Sequence, residues 1–497
     1  MYNILPHKKK FLENLTAEKV PPITIEIPFY PPSQLFSLFC KENSILLESV
    51  KGPQKIARYS FIGFNPCLIF KLKNGSIEIN NSKRLILGSE NPLTFMKLIT
   101  SNYKQINNPL LPPFQGGLAG VFSYDFVRYL ERIPEESKDD LNIPDAYFML
   151  LDKLIVFDHS KGKSWIIVSP GVRKKIEYRE KYFNSSEWSE MYDEAEYELV
   201  KIFNKIFDYK HYNFNTKKSN KKKIEINYEM KKIEYTDMVM KAKEYIAAGD
   251  IFQANLSQRV SALIEERNPY DLYLILRDIN PSPFAAFANL SEYIIVSSSP
   301  ERLLKINNNK IETRPIAGTR PRGRDKSEDD FMREELLLNE KERAEHIMLI
   351  DLERNDLGRV SEYGSIKVDE LMITEDYSHV IHIVSNIKGL LKKDKDCYDA
   401  IRAAFPGGTI TGVPKVRCME IIEELEPVRR GPYTGSLGYI SFSGNMDLNI
   451  IIRTFVIKDN IAYVQAGAGI VADSNPEREY FETLKKAEAL IRTLEII

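Results

Sequence analysis

The sequence predicts an α+β fold built in layers. Two observations point there. Short runs alternate apolar and polar residues, as half-buried strands do, and they are interspersed with stretches whose apolar residues recur at helical spacing. The order of these runs lacks the regular strand–helix–strand repeat of a doubly wound parallel sheet. A chain of 497 residues, 43% hydrophobic and 28% charged, has the balance of a globular protein with room for a large core.

Residues 1–160 carry β-rich runs between turn signals, for example 44–49 and 58–63. Residues 171–210 are charged and helical in pattern. Residues 208–224 read as a linker or exposed loop that ends in Lys217, Lys218, Lys221, Lys222 and Lys223. A solvated turn accounts for that basic cluster, because a nucleic-acid patch needs a larger footprint. The pattern sharpens from residue 226, which divides the chain into regions 1–225 and 226–497. Met238, Val239, Ala242, Tyr245 and Ile246 lie at helical spacing, with Gly249 as a stop. Residues 252–257 alternate as a strand, 327–351 read as one helix, and 380–384 form a β-branched run. Residues 463–470 read as a strand, and Pro476 opens a last helix capped by Ser474 or Asn475.

Charge and cysteine usage exclude several classes. With 69 Lys plus Arg against 70 Asp plus Glu, the net charge of −1 offers no bulk attraction to nucleic acid or to an anionic membrane. Cys40, Cys67, Cys397 and Cys418 have no short spacing, which argues against a zinc ribbon, a redox pair or a secreted disulfide framework. The first 25 residues lack the apolar core of a signal peptide, and no stretch reads as a membrane span. The expectation is a reduced, cytoplasmic protein that engages neither nucleic acid nor membrane.

Three glycine-bearing loops offer backbone N–H groups to an anion: RPIAGTRPRG (314–323), FPGGTITGVPKVR (405–417) and QAGAG (465–469). Tight turns between strands would use the same residues. None fits the phosphate-loop pattern, and Lys415 follows a proline rather than a glycine. Glu479 and Glu482, three apart on the last helix, share one face, as any solvated pair can. If Glu345 joined them, three carboxylates would meet, and magnesium takes one or two such ligands along with water and substrate oxygens. His382, on an apolar strand, is either a core residue or a proton-transfer group. Arg453 is a cation in an otherwise apolar run at 449–454, read here as a strand. It needs a partner, either a substrate carboxylate or a structural Asp or Glu. Spacing alone suggests a magnesium-dependent site for a small anionic substrate.

The longest motifs carry a resemblance. GDIFQANLSQR (249–259), NPSPFAAF (280–287), SSSPER (297–302), PIAGTRPRG (315–323), EKERAEHIMLIDLERNDLGRV (340–360), FPGGTITGVPKVRCMEIIEELEP (405–427), GNMDLNIIIRT (444–454) and QAGAGIVADS (465–474) follow one another in the chain. Together they resemble the chorismate-utilising enzymes, specifically the large subunits of the anthranilate and aminodeoxychorismate synthases. The resemblance implies a layered sandwich of antiparallel sheets with flanking helices. It implies an N-terminal region at 1–225 and a chorismate-binding catalytic region at 226–497. It also implies that Glu345 and Glu482, with Glu479 alongside, ligate Mg2+, and that Gly318, Thr319, Tyr433, Arg453, Gly467, Ala468 and Gly469 hold chorismate, with Lys415 near its carboxylate. Glu301 would be the acid that protonates the departing ring hydroxyl, and His382 the family's catalytic histidine. Ser49 with Pro281, Ser282 and Pro283 matches a possible tryptophan pocket. A silent paralogue would have lost one of Glu301, Glu345, Glu482 or His382, and all four are present.

The branch signals disagree. Asn255, FAAF (284–287), GGTITG (407–412) and Asn449 resemble the aminodeoxychorismate branch. Ala317 stands where some members of that branch carry a nucleophilic lysine, which favours the anthranilate branch. The four features outweigh the one, so amination at ring position 4 is the expectation and anthranilate formation the alternative. Either product needs ammonia. No cysteine lies in a nucleophile-elbow context, which implies a separate glutamine amidotransferase subunit as partner.

Overall fold

The computed structural model describes residues 3–16, 19–80, 83–86, 91–178, 182–209, 224–265, 267–376 and 380–497. The basic cluster at 217–223 lies outside the described residues. Two twelve-stranded sheets form the body, and every strand pair described within them is antiparallel. Both sheets draw strands from either side of residue 225. In the first, Gly117–Phe122 lies between Ala146–Leu151 and Ser436–Ser441. In the second, Ser44–Glu48 pairs with Phe284–Asn289.

Strand periodicity explains the layering. Ala119, Val121, Tyr147, Met149 and Leu437 of the first sheet cluster with Ile45, Phe61, Leu154, Val156 and Ile295 of the second, so this set is the seam between the sheets. Their strand neighbours Leu118, Phe122, Phe148, Ile155 and Phe157 belong to a separate cluster with the flanking helices. Burying each such side chain contributes about 1.5–3 kcal/mol. Ser185–Tyr209 covers Lys163–Val168, and Pro476–Ile496 covers Ile461–Ile470. Glu340–Gly358 lies against Val380–Leu390 and Ile316–Pro321. The layered antiparallel sandwich with flanking helices is the predicted one.

Two local expectations change. The helix expected over 327–351 is two helices, Lys326–Leu338 and Glu340–Gly358. Asn339 separates them with an extended ψ of 108°, and its side chain accepts from the Glu342 N–H at 3.0 Å, so it caps the second helix. Arg453 is not in a strand. Met446–Asn449 ends in the first sheet and Thr454–Lys458 begins in the second, so residues 450–453 form a crossover in which Arg453 has φ 50°. The apolar run at 450–452 is buried crossover, which periodicity cannot tell from strand.

A buried ion pair ties several segments of the 226–497 region together. Arg430 and Glu426 have side chains 1% and 3% exposed. The guanidinium donates to both Glu426 oxygens at 2.7 and 2.9 Å, to the Asn255 carbonyl at 2.6 Å and to the Ile410 carbonyl at 3.0 Å. Glu426 also accepts from the Ser257 N–H and hydroxyl, both at 2.8 Å. Removing one partner strands a buried charge. Arg430→Met is therefore expected to lower the unfolding free energy in urea by about 3–5 kcal/mol, and Arg430→Met/Glu426→Leu to recover part of that loss. A single-variant loss below about 1 kcal/mol would contradict this account.

Candidate active site

The two crossovers between the sheets meet. The chain leaves the second sheet at Ser299 and enters the first at Arg302, with Pro300 and Glu301 between. It returns through residues 450–453. Ile450 N–H donates to the Glu301 carbonyl at 3.0 Å, Ser299 Oγ donates to the Ile450 carbonyl at 2.6 Å, and Ser298 N–H donates to the Arg453 carbonyl at 3.1 Å. Glu301 and Arg453 are thus fixed by backbone bonds between two segments about 150 residues apart in sequence.

Glu301 is 6% exposed. Burial pushes its carboxyl up to about 7, against the lowering influence of the Thr409 hydroxyl, the Ile316 N–H and the charges of Arg453 and Lys486. Its Oε1 accepts no hydrogen bond among the described residues. The same holds for Oε1 of Gln253 and Oδ1 of Asn255, two residues apart on Gln253–Leu263.

His382 lies on Val380–Leu390, opposite Thr319. Its Nδ1 is 2.9 Å from Thr319 Oγ1 and 3.2 Å from the Gly318 carbonyl. A carbonyl only accepts, so Nδ1 carries the proton and Nε2 the lone pair. Burial first, then the Arg453 charge, pushes the imidazole down to about 3, so it is neutral. Gly318 has φ 68°, and a Cβ there would stand 2.0 Å from Glu342 Oε2, so only glycine fits.

The far wall is the strand Ile461–Ile470. Gly467 pairs with Ser257 and Gly469 with Asn255. A Cβ on Gly467 would lie 2.5 Å from Asn255 Oδ1 and 2.8 Å from the Tyr433 hydroxyl, which places Asn255 and the buried Tyr433 against this backbone. Ala468 between them points into a small apolar cluster with Leu256 and Ile422. Lys486 donates to the Gly467 carbonyl at 3.0 Å and pairs with Glu482 at 2.8 Å. Lys415 pairs with buried Asp356 and donates to the Ala404 carbonyl at 3.2 Å.

The three candidate metal ligands come from two helices, Glu345 from Glu340–Gly358 and Glu479 and Glu482 from Pro476–Ile496. Burial pushes Glu345 up, opposed by Lys341 and reinforced by Glu342, Glu479 and Glu482. Burial also pushes Glu479 up, opposed by the Ser474 hydroxyl and reinforced by Glu482. Carboxylates that feel one another across two helices are the donor chemistry of a hard cation. Among the described residues, no three His, Cys, Asp or Glu side chains are gathered closely enough to hold a metal ion.

A separate cavity of about 580 Å³ lies between the sheets, lined in part by Ser49, Tyr59, Phe61, Pro283, Phe284 and Arg302. Ser49 Oγ donates to the Pro283 carbonyl at 3.2 Å, and the Ser282 carbonyl accepts from Val50 N–H at 3.0 Å. Of the expected tryptophan contacts, Ser49 and Pro283 line the cavity, while Pro281 and Ser282 belong to the turn behind it.

Sequence reasoning missed Gln253, Thr409, Lys486, Arg430, Glu353 and Asp356. The last two had a signal. Leu349, Ile350, Glu353, Asp356 and Leu357 share the buried face of one helix, so two acids interrupt an apolar stripe.

The family model for chorismate binding enzymes matches residues 42–492. Anthranilate synthase component 1 of Acetivibrio thermocellus is 46% identical over 485 residues, 95% of each chain. Aminodeoxychorismate synthase component 1 of Bacillus subtilis is 42% identical over 458 residues, 92% of each. The crystal structure of anthranilate synthase component I from Streptococcus pneumoniae TIGR4 superposes with a TM-score of 0.75 at 35% identity, covering 87% of this chain and 92% of that one. With the family pattern matched over residues 42–492, which include both Glu301–Arg453 crossovers, the chain belongs to the chorismate-binding enzymes.

Proposed function

We propose that the chain is component 1 of an aminodeoxychorismate synthase, aminating chorismate at ring position 4 to give 4-amino-4-deoxychorismate for para-aminobenzoate and folate. The observation that carries the chemistry is the buried Glu301 carboxyl, poised at about 7. Ammonia supplies the electron pair of the new C–N bond. The C–O pair leaves with oxygen, which takes the Glu301 proton and departs as water, while the new ammonium sheds a proton. An acid so placed contributes about 10²–10⁴-fold. Chorismate is a dianion. Arg453, Gly318 and Thr319 of strand Ile316–Pro321, Tyr433 and the Gly467–Ala468–Gly469 backbone would form its pocket, with Lys415 near its carboxylate. His382 is neutral and, with Nδ1 anchored, presents Nε2 as base or acceptor. Glu345, Glu479 and Glu482 are not gathered into one cluster in this structure; drawn together they would be the residues to hold Mg2+, whose chemistry there would be to polarise and neutralise a substrate carboxylate. Ammonia comes from a glutamine amidotransferase subunit. The four cysteines are free thiols, in keeping with a reducing cytoplasm, and among the described residues no helix is long and apolar enough to cross a membrane.

Asn255, one of the four features that resemble the position-4 branch, has its carboxamide oxygen beside Gly467 and Tyr433. Asn449, by contrast, accepts from the Leu437 N–H at 2.9 Å and serves the sheet. Two observations favour anthranilate synthase as a second reading: Ala317 in place of a lysine nucleophile, and the 46% identity to a relative of that name. In either branch, the cavity at Ser49 and Pro283 is where tryptophan would bind.

Chorismate, Mg2+ and ammonium, assayed with and without aminodeoxychorismate lyase, separate the two. Para-aminobenzoate that forms only with the lyase is the expected outcome, and fluorescent anthranilate without it would sink the position-4 reading. Glu301→Gln and Glu345→Gln are each expected to abolish turnover with an unchanged circular dichroism spectrum; near-full activity would remove the role assigned. Glu301 must be protonated to act. At constant free ammonia, kcat/KM for chorismate should be level below pH 7 and fall about tenfold per unit above it. His382, held near 3, adds no limb between pH 5 and 9. A profile level through pH 9 would show that Glu301 is not the acid.

A further inference from the structure

The ammonium of Lys415 is committed inside the protein. It pairs with Asp356, whose side chain is 3% exposed against 16% for Lys415, and it donates to the Ala404 carbonyl at 3.2 Å. Ala404 ends helix Cys397–Ala404, and Lys415 begins helix Lys415–Leu425. The bond therefore joins the two ends of the loop 405–414, at a carbonyl that the first helix leaves open. Glu353 is the other acid on this face of Glu340–Gly358. Burial, and then the Asp356 charge, push Glu353 up to about 8, with Lys415 opposing, so at neutral pH Asp356 is the charge that answers Lys415.

The loop closed in this way lies against the surroundings of the acid. A Cβ on Gly407 would stand 3.1 Å from Ile450 Cδ1 and 3.2 Å from Leu303 Cδ1. Ile450 N–H holds the Glu301 carbonyl, and Leu303 is two residues after Glu301. A Cβ on Gly408 would stand 2.1 Å from Leu352 Cδ2, one turn before Asp356 on the same helix. That helix thus meets the loop twice, Leu352 on Gly408 and Asp356 on Lys415. Thr409 comes next, and its buried hydroxyl acts on the Glu301 carboxyl, lowering it.

We infer that Lys415 is a positioning residue for the amination: with Asp356 it clamps the loop 405–414 shut, and the loop holds Thr409 and the two crossovers around Glu301. This rests on Glu301 being the acid. Lys415 then lies near the chorismate carboxylate without binding it, because Asp356 already answers its charge and opening a largely buried pair is costly. Releasing the clamp acts on Glu301 through the loop. Once Thr409 has withdrawn, nothing replaces its lowering influence, and Glu301 keeps its proton to higher pH.

The test compares Lys415→Met with Asp356→Leu in the ammonia-dependent reaction at constant free ammonia. Each should lower kcat roughly tenfold and leave the Kd for chorismate, titrated calorimetrically without ammonia, within about twofold. In both, the fall in kcat/KM above pH 7 should move to higher pH, and Thr409→Val, with the clamp intact, should move it the same way. Direct charge effects would move it up for the lost cation and down for the lost anion, so opposite displacements, or none, would overturn the clamp. So would a Kd raised tenfold or more in Lys415→Met but not in Asp356→Leu, the mark of a substrate ligand. Asp356→Leu/Lys415→Met strands neither charge, so it should keep the wild-type circular dichroism spectrum and show the loss of one single variant rather than the product of both. Wild-type kcat in that double variant, or a multiplied loss, would refute the pair. Glu301→Gln separates the two assignments. If it is inactive while Lys415→Met behaves as wild type, only the clamp fails. If Glu301→Gln is active, the acid assignment fails and the clamp with it.

Discussion

The cleft depends on one buried charge. Arg430 sits out of water, and transferring a guanidinium there costs several kcal/mol unless its donors are met. They are met by Glu426, by the carbonyls of Asn255 and Ile410, and by the Thr434 hydroxyl at 3.3 Å. The plane also lies over the rings of Tyr124 and Tyr433, 4.9 and 5.6 Å from their centroids. These partners come from the start of a substrate-wall strand, the glycine loop before Lys415, the turn that carries Tyr433 and the N-terminal half. None can shift without stranding a donor of Arg430. Asn255, Tyr433 and the loop beside Glu301 are therefore held as one unit before any ligand arrives.

Within that unit, charge is arranged by position rather than by amount. The net charge of −1 says nothing about a dianionic substrate. Arg453 and Lys486 act on Glu301 from the cleft side and lower it. Asp356 acts on Glu353 from the rear and raises it. Burial is the first cause of both upward shifts, and it also lets these neighbouring charges act, because in water they would be largely screened.

Much of this was legible in the sequence, and the parts that were not share a cause. Strand alternation at 252–257, helical spacing at 238–246 and the Asn475 cap are local, and the structure has them at Gln253–Leu263, Lys232–Ala247 and Pro476–Ile496. The glycines at 318 and 467 announced close approach, and each does face a crowded neighbour. What failed depended on non-local pairing. The run at 450–453 reads as strand because its burial comes from the other crossover. Asn339 is the exception, a local one: its side chain caps Glu342 three residues on, a geometry its flanking helical pattern hides. Arg430 and Glu353 passed unremarked because a charge in a motif reads as surface until its partners are known, and for Arg430 one hydrogen-bond partner is 175 residues away.

The cavity at Ser49 and Pro283 and the catalytic cleft share a wall, and that wall is stiff. Arg302 lines the cavity and is the residue after Glu301. Its side chain, 3% exposed, is held by Asp447 at 2.9 and 3.1 Å, and Asp447 lies two residues before Asn449, where the return crossover begins. A second route runs along the sheet edge. Lys55, also in the cavity wall, bonds Glu370 at 2.7 Å and lies 3.5 Å from Glu375. Both carboxylates bind Arg314, one residue before the PIAGT turn, and Glu375 pairs in register with His382. Arg302–Asp447 and Arg314–Glu375 are largely buried, and breaking such a pair costs about 3–5 kcal/mol, whereas Lys55 is 43% exposed and its pairs contribute little. The firm contact between the cavity and the Glu301 crossover is therefore Arg302, which belongs to both.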